Sequence, residues 1–371
     1  MFGTVLGLGL AFGPVIAGTL VGAWGWRAFF AAAAVVLLPA LAAAPLLEES
    51  RRPADAPMDW GGAAAFTLGL SGFAFGVVEG PALGWTHPAV LGAFAACAVL
   101  LGVFAVAERR HPAPLVDLSL LLRPRFAAIC SMPFLLAFGF VALTIVLPPY
   151  LMATLGMSPG RAGLTLLLLT GPTLVMPPLT SAAVARGATQ RTLLVATLLL
   201  VAAGTALLAL VPGGAGPGAL AALAAPLLLI GTGFGVSLAV LDGAALSAVP
   251  TDRAGMAAGL FNTARITGEV VALSLLGASP FTLTRARLAE RYGDDTAARA
   301  ASDLLRGDMA GAARGVGPGF ADTGFADTAT AAYAGALHTS LWLLSALSLI
   351  GAVVVARLPA DRGPVPRPVT S

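Results

Sequence analysis

The chain has 371 residues, 58% hydrophobic and only 11% charged, with a formal net charge of +3. Ordinary globular domains are about a quarter charged, so the composition excludes a soluble domain and indicates a membrane protein. All 21 basic residues are arginine and none sits in a dense basic tract, so no nucleic-acid partner is expected and arginine placement reports topology instead.

Apolar runs long enough to cross a hydrocarbon layer of about 30 Å as helices recur along nearly the whole length. Barrel strands would be about half as long and would alternate. The expected fold is therefore all-α and polytopic, with about ten transmembrane helices at 2–23, 28–47, 61–80, 88–107, 126–149, 160–184, 191–211, 219–244, 254–278 and 333–356. The first is not preceded by a basic residue and is followed by Arg27, so it does not read as a secretory signal. Cys97 and Cys130 fall within spans, without metal-ligand spacing, and read as packing residues.

The connections carry the orientation. Arg51, Arg52, Arg109, Arg110, Arg123, Arg125, Arg186, Arg191, Arg253, Arg357, Arg362 and Arg367 fall on one side, whereas the alternate short loops hold only Arg27 and Arg161. The positive-inside rule makes the arginine-rich side cytoplasmic, with the first helix running outward and the C-terminus inside. The segment 108–126 is expected to be a cytoplasmic linker between the first four helices and the last six. The long connection 280–332 is then external. Its mixed charges among alanine and leucine predict a solvated short helix followed by a glycine-rich tether, with partner binding as the other reading.

Three patterns invite an enzymatic reading and none sustains it. GTGFG at 231–235 resembles a phosphate loop but has no lysine and lies inside a span, where close helix packing accounts for it. GMSPG at 156–160 has the spacing of a nucleophile elbow but joins two helices instead of a strand and a helix. His87, His111 and His338 are dispersed, so no catalytic, metal or cofactor site is expected.

The polar residues inside spans are more informative. Asn262, Arg265 and Glu269 lie in the ninth, Arg265 near mid-membrane and Glu269 about one turn further out. Ionisable groups at that depth cost several kcal/mol unless paired or hydrated. Positions i and i+4 share a helix face, so Arg265 and Glu269 can form an ion pair. Two readings stand: a self-neutralising pair that holds helices together, or a Glu269 that exchanges a proton or a cationic substrate. Asp242 and Glu79, nearer the interfaces, are weaker candidates. Phe134, Phe138, Phe140 and Tyr150 along the fifth span, with Phe261 beside Asn262, suit either core packing or a cavity for an amphipathic or cationic organic molecule. Pro172, Pro177 and Pro178 predict a kinked or broken sixth span.

In the opening segment Gly9, Gly13 and Ala17 recur every four residues, Gly18 widens the stripe and Pro14 favours a kink. The arrangement GxxxGPxxAG followed by WGWRAFF resembles the antiporter signature of the major facilitator superfamily, which lies on that family's fifth helix. MDWGG at 58–62, LGW at 83–85, AERRHPAPLVDLSLL, YLMATLGMSPGRAGL and AGMAAGLFNTARITGEVVALSLLGA at 254–278 are similar, in the same order, to its fourteen-helix drug:proton antiporter branch. There are departures: alanines follow Phe30 where relatives place asparagine and proline, Met152 stands where glutamine is common, ARGATQR at 185–191 lacks the gating-loop aspartate, and Glu269 replaces a small residue.

The resemblance implies a major facilitator fold in which residues 1–50 are the last two helices of the N-terminal bundle and 51–110 the extra central pair. Residues 111–357 would be the C-terminal six-helix bundle, with the external loop 280–332, and 358–371 a cytoplasmic tail. On this reading the family's first four helices are missing, through an internal methionine taken as the start or a truncated gene. The implied function is proton-coupled efflux of drugs or amphipathic metabolites across the plasma membrane, with lipid and protons as partners and antibiotic resistance as outcome. Glu269 and Arg265 would couple charge, Asn262, Phe261, Phe134 and Phe138 would line the cavity, and Gly9, Gly13, Pro14, Gly18 and Arg27 would form the hinge. Two alternatives remain open: a same-fold carrier of another solute, and a transport-inactive remnant or assembly partner.

Overall fold

A computed structural model describes residues 59–110, 122–212, 218–249, 254–316 and 324–357, together with Leu120, positions 23–43 and scattered positions from 8 to 20. The described positions of the first expected span are helical, and Pro14 and Gly18 lie outside the described residues, as does most of the 108–126 linker. Helix α1 (Trp26–Ala43) follows. Among the described residues eight helices are long and apolar enough to cross a membrane.

Helix α2 (Trp60–Leu83) begins where Asp59 accepts a hydrogen bond from the Gly62 amide at 2.8 Å, so the DWGG stretch at 59–62 is a capped helix start. Helix α3 (Pro88–Arg110) returns beside it after a turn at Gly84, whose φ of +97° suits glycine alone. The two approach closely through glycines: a Cβ at Gly72 would stand 3.1 Å from the Ala93 carbonyl, and one at Gly76 would strike Phe94.

The fifth expected span is a single apolar rod with an irregular centre. Helix α4 (Pro124–Leu136) passes through a π-turn at Ala137–Val141 into α5 (Ala142–Leu155). The sixth is interrupted at Gly171, where α6 (Pro159–Thr170) gives way to α7 (Pro172–Ala185), in keeping with the kinked or broken span that its prolines predict. Pro172 has no amide to continue the ladder, and the Thr173 hydroxyl donates to the Thr170 carbonyl at 2.6 Å in the same turn. Ser158 of the GMSPG stretch is the N-cap of α6, a structural use of that serine.

Helices α8 (Gln190–Ala209) and α9 (Ala219–Ser247) pack at near-backbone contact. A Cβ at Gly204 would lie 2.8 Å from the Pro226 carbonyl, and one at Gly233 would lie 2.8 Å from that of Thr197. Gly231 abuts the Leu169 carbonyl and Gly235 abuts Pro172 and Met176, so the GTGFG run seats α9 against both α8 and the α6–α7 break. Close packing is its role here.

The segment expected to be a long external loop differs most from the sequence reading. Helix α10 runs unbroken from Ala254 to Tyr292, 39 residues, or about 58 Å at 1.5 Å per residue, nearly twice a hydrocarbon layer. Helices α11 (Asp294–Leu305) and α12 (Met309–Val316) follow, and α13 (Phe325–Arg357) starts eight residues before the expected 333. Leu288, Ala297, Ala300, Ala301, Leu304, Ala312 and Phe325 are all buried. The solvated helix and tether are therefore replaced, over the described part, by a packed cap. Its apolar stripe 297, 300, 301, 304 has helical spacing and joins the core of α5, α6 and α13 around Leu147, Leu151, Leu166 and Tyr333. A second core, around Phe126, Met132, Leu198, Val240 and Phe261, fills the opposite end.

Candidate functional site

Between the two cores lies a small cleft of about 40 Å³, bounded by α4 and its π-turn, α9 and α10. Pro133, Leu136, Ala137 and Val141 form one wall, and Phe234, Ser237, Leu238, Leu241 and Asp242 form the second. Phe261, Arg265 and Glu269 form the third. The irregular backbone at 137–141 contributes directly to the wall, a common placement for π-turns. Gly268 brings α10 against α4, since a Cβ there would lie 2.9 Å from the Phe134 Cα, and this close approach sets the neighbouring Glu269 at the cleft.

Arg265 does not pair with Glu269 as the i, i+4 spacing suggests. Its Nη2 donates to the Asn262 Oδ1 at 2.6 Å, and its Nη1 lies 3.9 Å from the Asp242 Oδ1. The reason is geometric. Side chains on a helix lean toward its N-terminus, so the arginine reaches back over the turn carrying Asn262 and away from Glu269. A basic residue N-terminal to its acid is also the weaker i, i+4 orientation. Asp242, ranked below Glu269 from sequence, is thus the carboxylate within ion-pair range of Arg265. Its partner across two helices left no trace in the spacing.

The other sequence candidates disperse. Phe261 is buried in the cleft wall, whereas Phe134 packs against Gly268 and Phe138 joins a seam with Ala272 and Leu276. Phe140 stacks flat on Phe234, centroids 3.9 Å apart, so the second aromatic of the cleft is Phe234, from the GTGFG run. Tyr150 packs edge-on against Tyr333 in the outer core. Asn262 reaches the site through its bond to Arg265. Arg27 lies at the start of α1, exposed, and Gly9 and Gly13 have no atom within 4 Å of where a Cβ would stand. Glu79 lies in the last turns of α2, half-buried and apart from the cleft.

An all-helical, multi-pass membrane protein with a charged, aromatic-bearing cleft among its spans is the class these features define. The chain belongs to the Major Facilitator Superfamily, whose family model matches residues 1–273. It is 32% identical to a "Probable actinorhodin transporter" of Streptomyces coelicolor over 316 residues, 82% of this chain and 54% of that protein. It is 29% identical to the "Multidrug resistance protein Stp" of Mycobacterium tuberculosis over 281 residues, 74% of this chain and 50% of that protein. A "Tetracenomycin C resistance and export protein" of Streptomyces glaucescens is also 29% identical, over 275 residues, 74% of this chain and 50% of that protein. The chain spans about half the length of the curated relatives it matches.

Proposed function

We propose that the chain is part of a proton-coupled exporter of drugs or amphipathic metabolites, of the fourteen-helix antiporter branch, working by alternating access in the plasma membrane with its C-terminus cytoplasmic. The observation that carries this reading is the cleft itself: three ionisable side chains, Asp242, Arg265 and Glu269, among apolar and aromatic walls on helices long and apolar enough to cross a membrane. Charge in that setting is costly to keep and is usually kept for transport. Family membership and relatives whose names describe drug or antibiotic export support the substrate class.

Proton and substrate drive a carrier only if each binds the inward-open and outward-open states differently. Glu269 supplies a carboxylate that a proton neutralises and that an organic cation can occupy in its place. Arg265 sets the local field, and Phe234 and Phe261 supply apolar area for the rest of the molecule. The test is Glu269→Gln in everted membrane vesicles loaded by a pH step. Efflux of a fluorescent cationic dye should lose its dependence on the proton gradient, and efflux with unchanged pH dependence removes Glu269 from the mechanism.

A further inference from the structure

Helix α2 packs along α10 and the two run in the same direction: Ala63 shares one groove with Gly255 and Gly259, and Gly80 shares another with Leu275 and Ala278. The second groove has a volume of about 490 Å³, well above that of the charged cleft and within the usual range of ligand pockets. Tryptophan sets its level in the membrane. Trp60 begins α2 and Trp85 lies in the turn before α3, about 37 Å further on at 1.5 Å per residue, which is the separation of two bilayer interfaces. Trp85 lines the groove, and Gly80 makes room for its ring, since a Cβ there would stand 2.6 Å from it.

Leu275, Ala278, Phe281 and Leu283 supply the apolar wall opposite Trp85, and both Trp85 and Leu275 are exposed. The Thr282 hydroxyl donates to the Ala278 carbonyl and Ser279 bonds Ser340, so neither is short of a partner. Among the described residues that line the groove, Arg285 alone is charged. It meets Asp294 of α11 at 3.5 Å, with the two side chains 45% and 74% exposed, and such an open pair exchanges partners at little cost. A phospholipid matches both features. Its acyl chain covers the apolar wall, and its phosphate accepts two parallel, charge-assisted hydrogen bonds from a guanidinium. No acid lines the groove to receive an amine, so an ammonium-bearing headgroup gains nothing there.

We propose that this groove holds one phospholipid, its acyl chain along α10 against Trp85 and its phosphate on Arg285, and that it prefers lipids whose headgroup carries a net negative charge. The groove at the other end of α2, lined by Phe66, Phe104, Met256 and Leu260 among others, carries no charge and should hold lipids of either kind alike. The experiment counts lipids retained by the purified full chain in detergent, by native mass spectrometry, after equal amounts of phosphatidylglycerol and phosphatidylcholine with the same acyl chains are added. The parent should retain phosphatidylglycerol about fivefold over phosphatidylcholine, and Arg285→Gln should bring the ratio to about one. Asp294→Asn should raise the ratio, because it removes the competitor of the phosphate. Ala278→Phe, which fills the groove and leaves Arg285 in place, should lower the ratio and the number of lipids bound, and it tests the site even if Arg285→Gln does not fold. A ratio near one in the parent marks ordinary boundary lipid and overturns the proposal. An unchanged ratio in Arg285→Gln or Ala278→Phe, or a fall in Asp294→Asn, does the same. Displacement of the lipid by inorganic phosphate marks a site for a soluble anion and overturns the assignment to lipid.

Discussion

Arg265, Asn262 and Glu269 are readable as a cluster because an apolar span makes every polar residue conspicuous and the helical repeat tells which share a face. What the repeat does not tell is which way a long side chain leans or what a neighbouring helix presents to it. Asp242 is twenty-three positions from Arg265 and on another helix, so only packing brings the two within 3.9 Å. Glycines carry a second lesson at this scale. In sequence, Gly231, Gly235 and Gly243 are alike, but a Cβ on Gly231 would press on the Leu169 carbonyl, whereas one on Gly243 meets nothing within 4 Å. A backbone neighbour cannot step aside as a side-chain tip can. Gly231→Ala should therefore destabilise the folded protein by about 1–3 kcal/mol, the usual cost of overpacking. Gly243→Ala should leave the thermal midpoint in detergent unchanged or slightly raised, and equal midpoints for the two variants would remove the packing argument.

At the scale of elements, the existence and order of the apolar spans follow from hydrophobicity alone, since a helix is the form in which a single segment satisfies its own backbone in lipid. The break at Gly171–Pro172 and the start of α2 at Asp59 are likewise local chemistry. Hydrophobicity alone does not settle the segment after 278. Its arginines and acids suggested a solvated connection, yet Ala297, Ala300, Ala301 and Leu304 recur at helical spacing, a signal of one buried face. The stripe was visible; the surface that covers it was not. Arg287 adds to the seal by donating to the Ala332 carbonyl at 3.2 Å, and Arg285 faces Asp294 at 3.5 Å. If the cap is part of the core, Leu304→Ala should cost about 2–5 kcal/mol, as other buried leucines do. Hydrogen exchange at 297–304 should then quicken in the variant and be slow in the parent. Fast exchange across 294–316 in the parent would mark the segment as solvated after all.

For the whole molecule, arginine counts and helix parity give a testable orientation. With α2 running outward, the turn at 84–87 faces outside and the turn at 186–189 faces the cytoplasm. Cys97 and Cys130 are buried, so they should stay silent toward a polar maleimide in the folded protein. In intact cells a cysteine introduced at Thr86 should be labelled by an impermeant maleimide, and one introduced at Ala188 should react only in everted vesicles. The reverse pattern would invert the assigned topology.

Composition, span order and the likeness to a transporter family were determined by the sequence by itself, because apolarity over twenty residues and short motifs are properties of a single stretch of chain. Only the tertiary structure decided the partner of Arg265, the second aromatic of the cleft and the fate of residues 280–316. Each depends on what a second helix places opposite a given face, and in a bundle where nearly every face is apolar, shape and close backbone approach select the neighbour, not hydrophobicity.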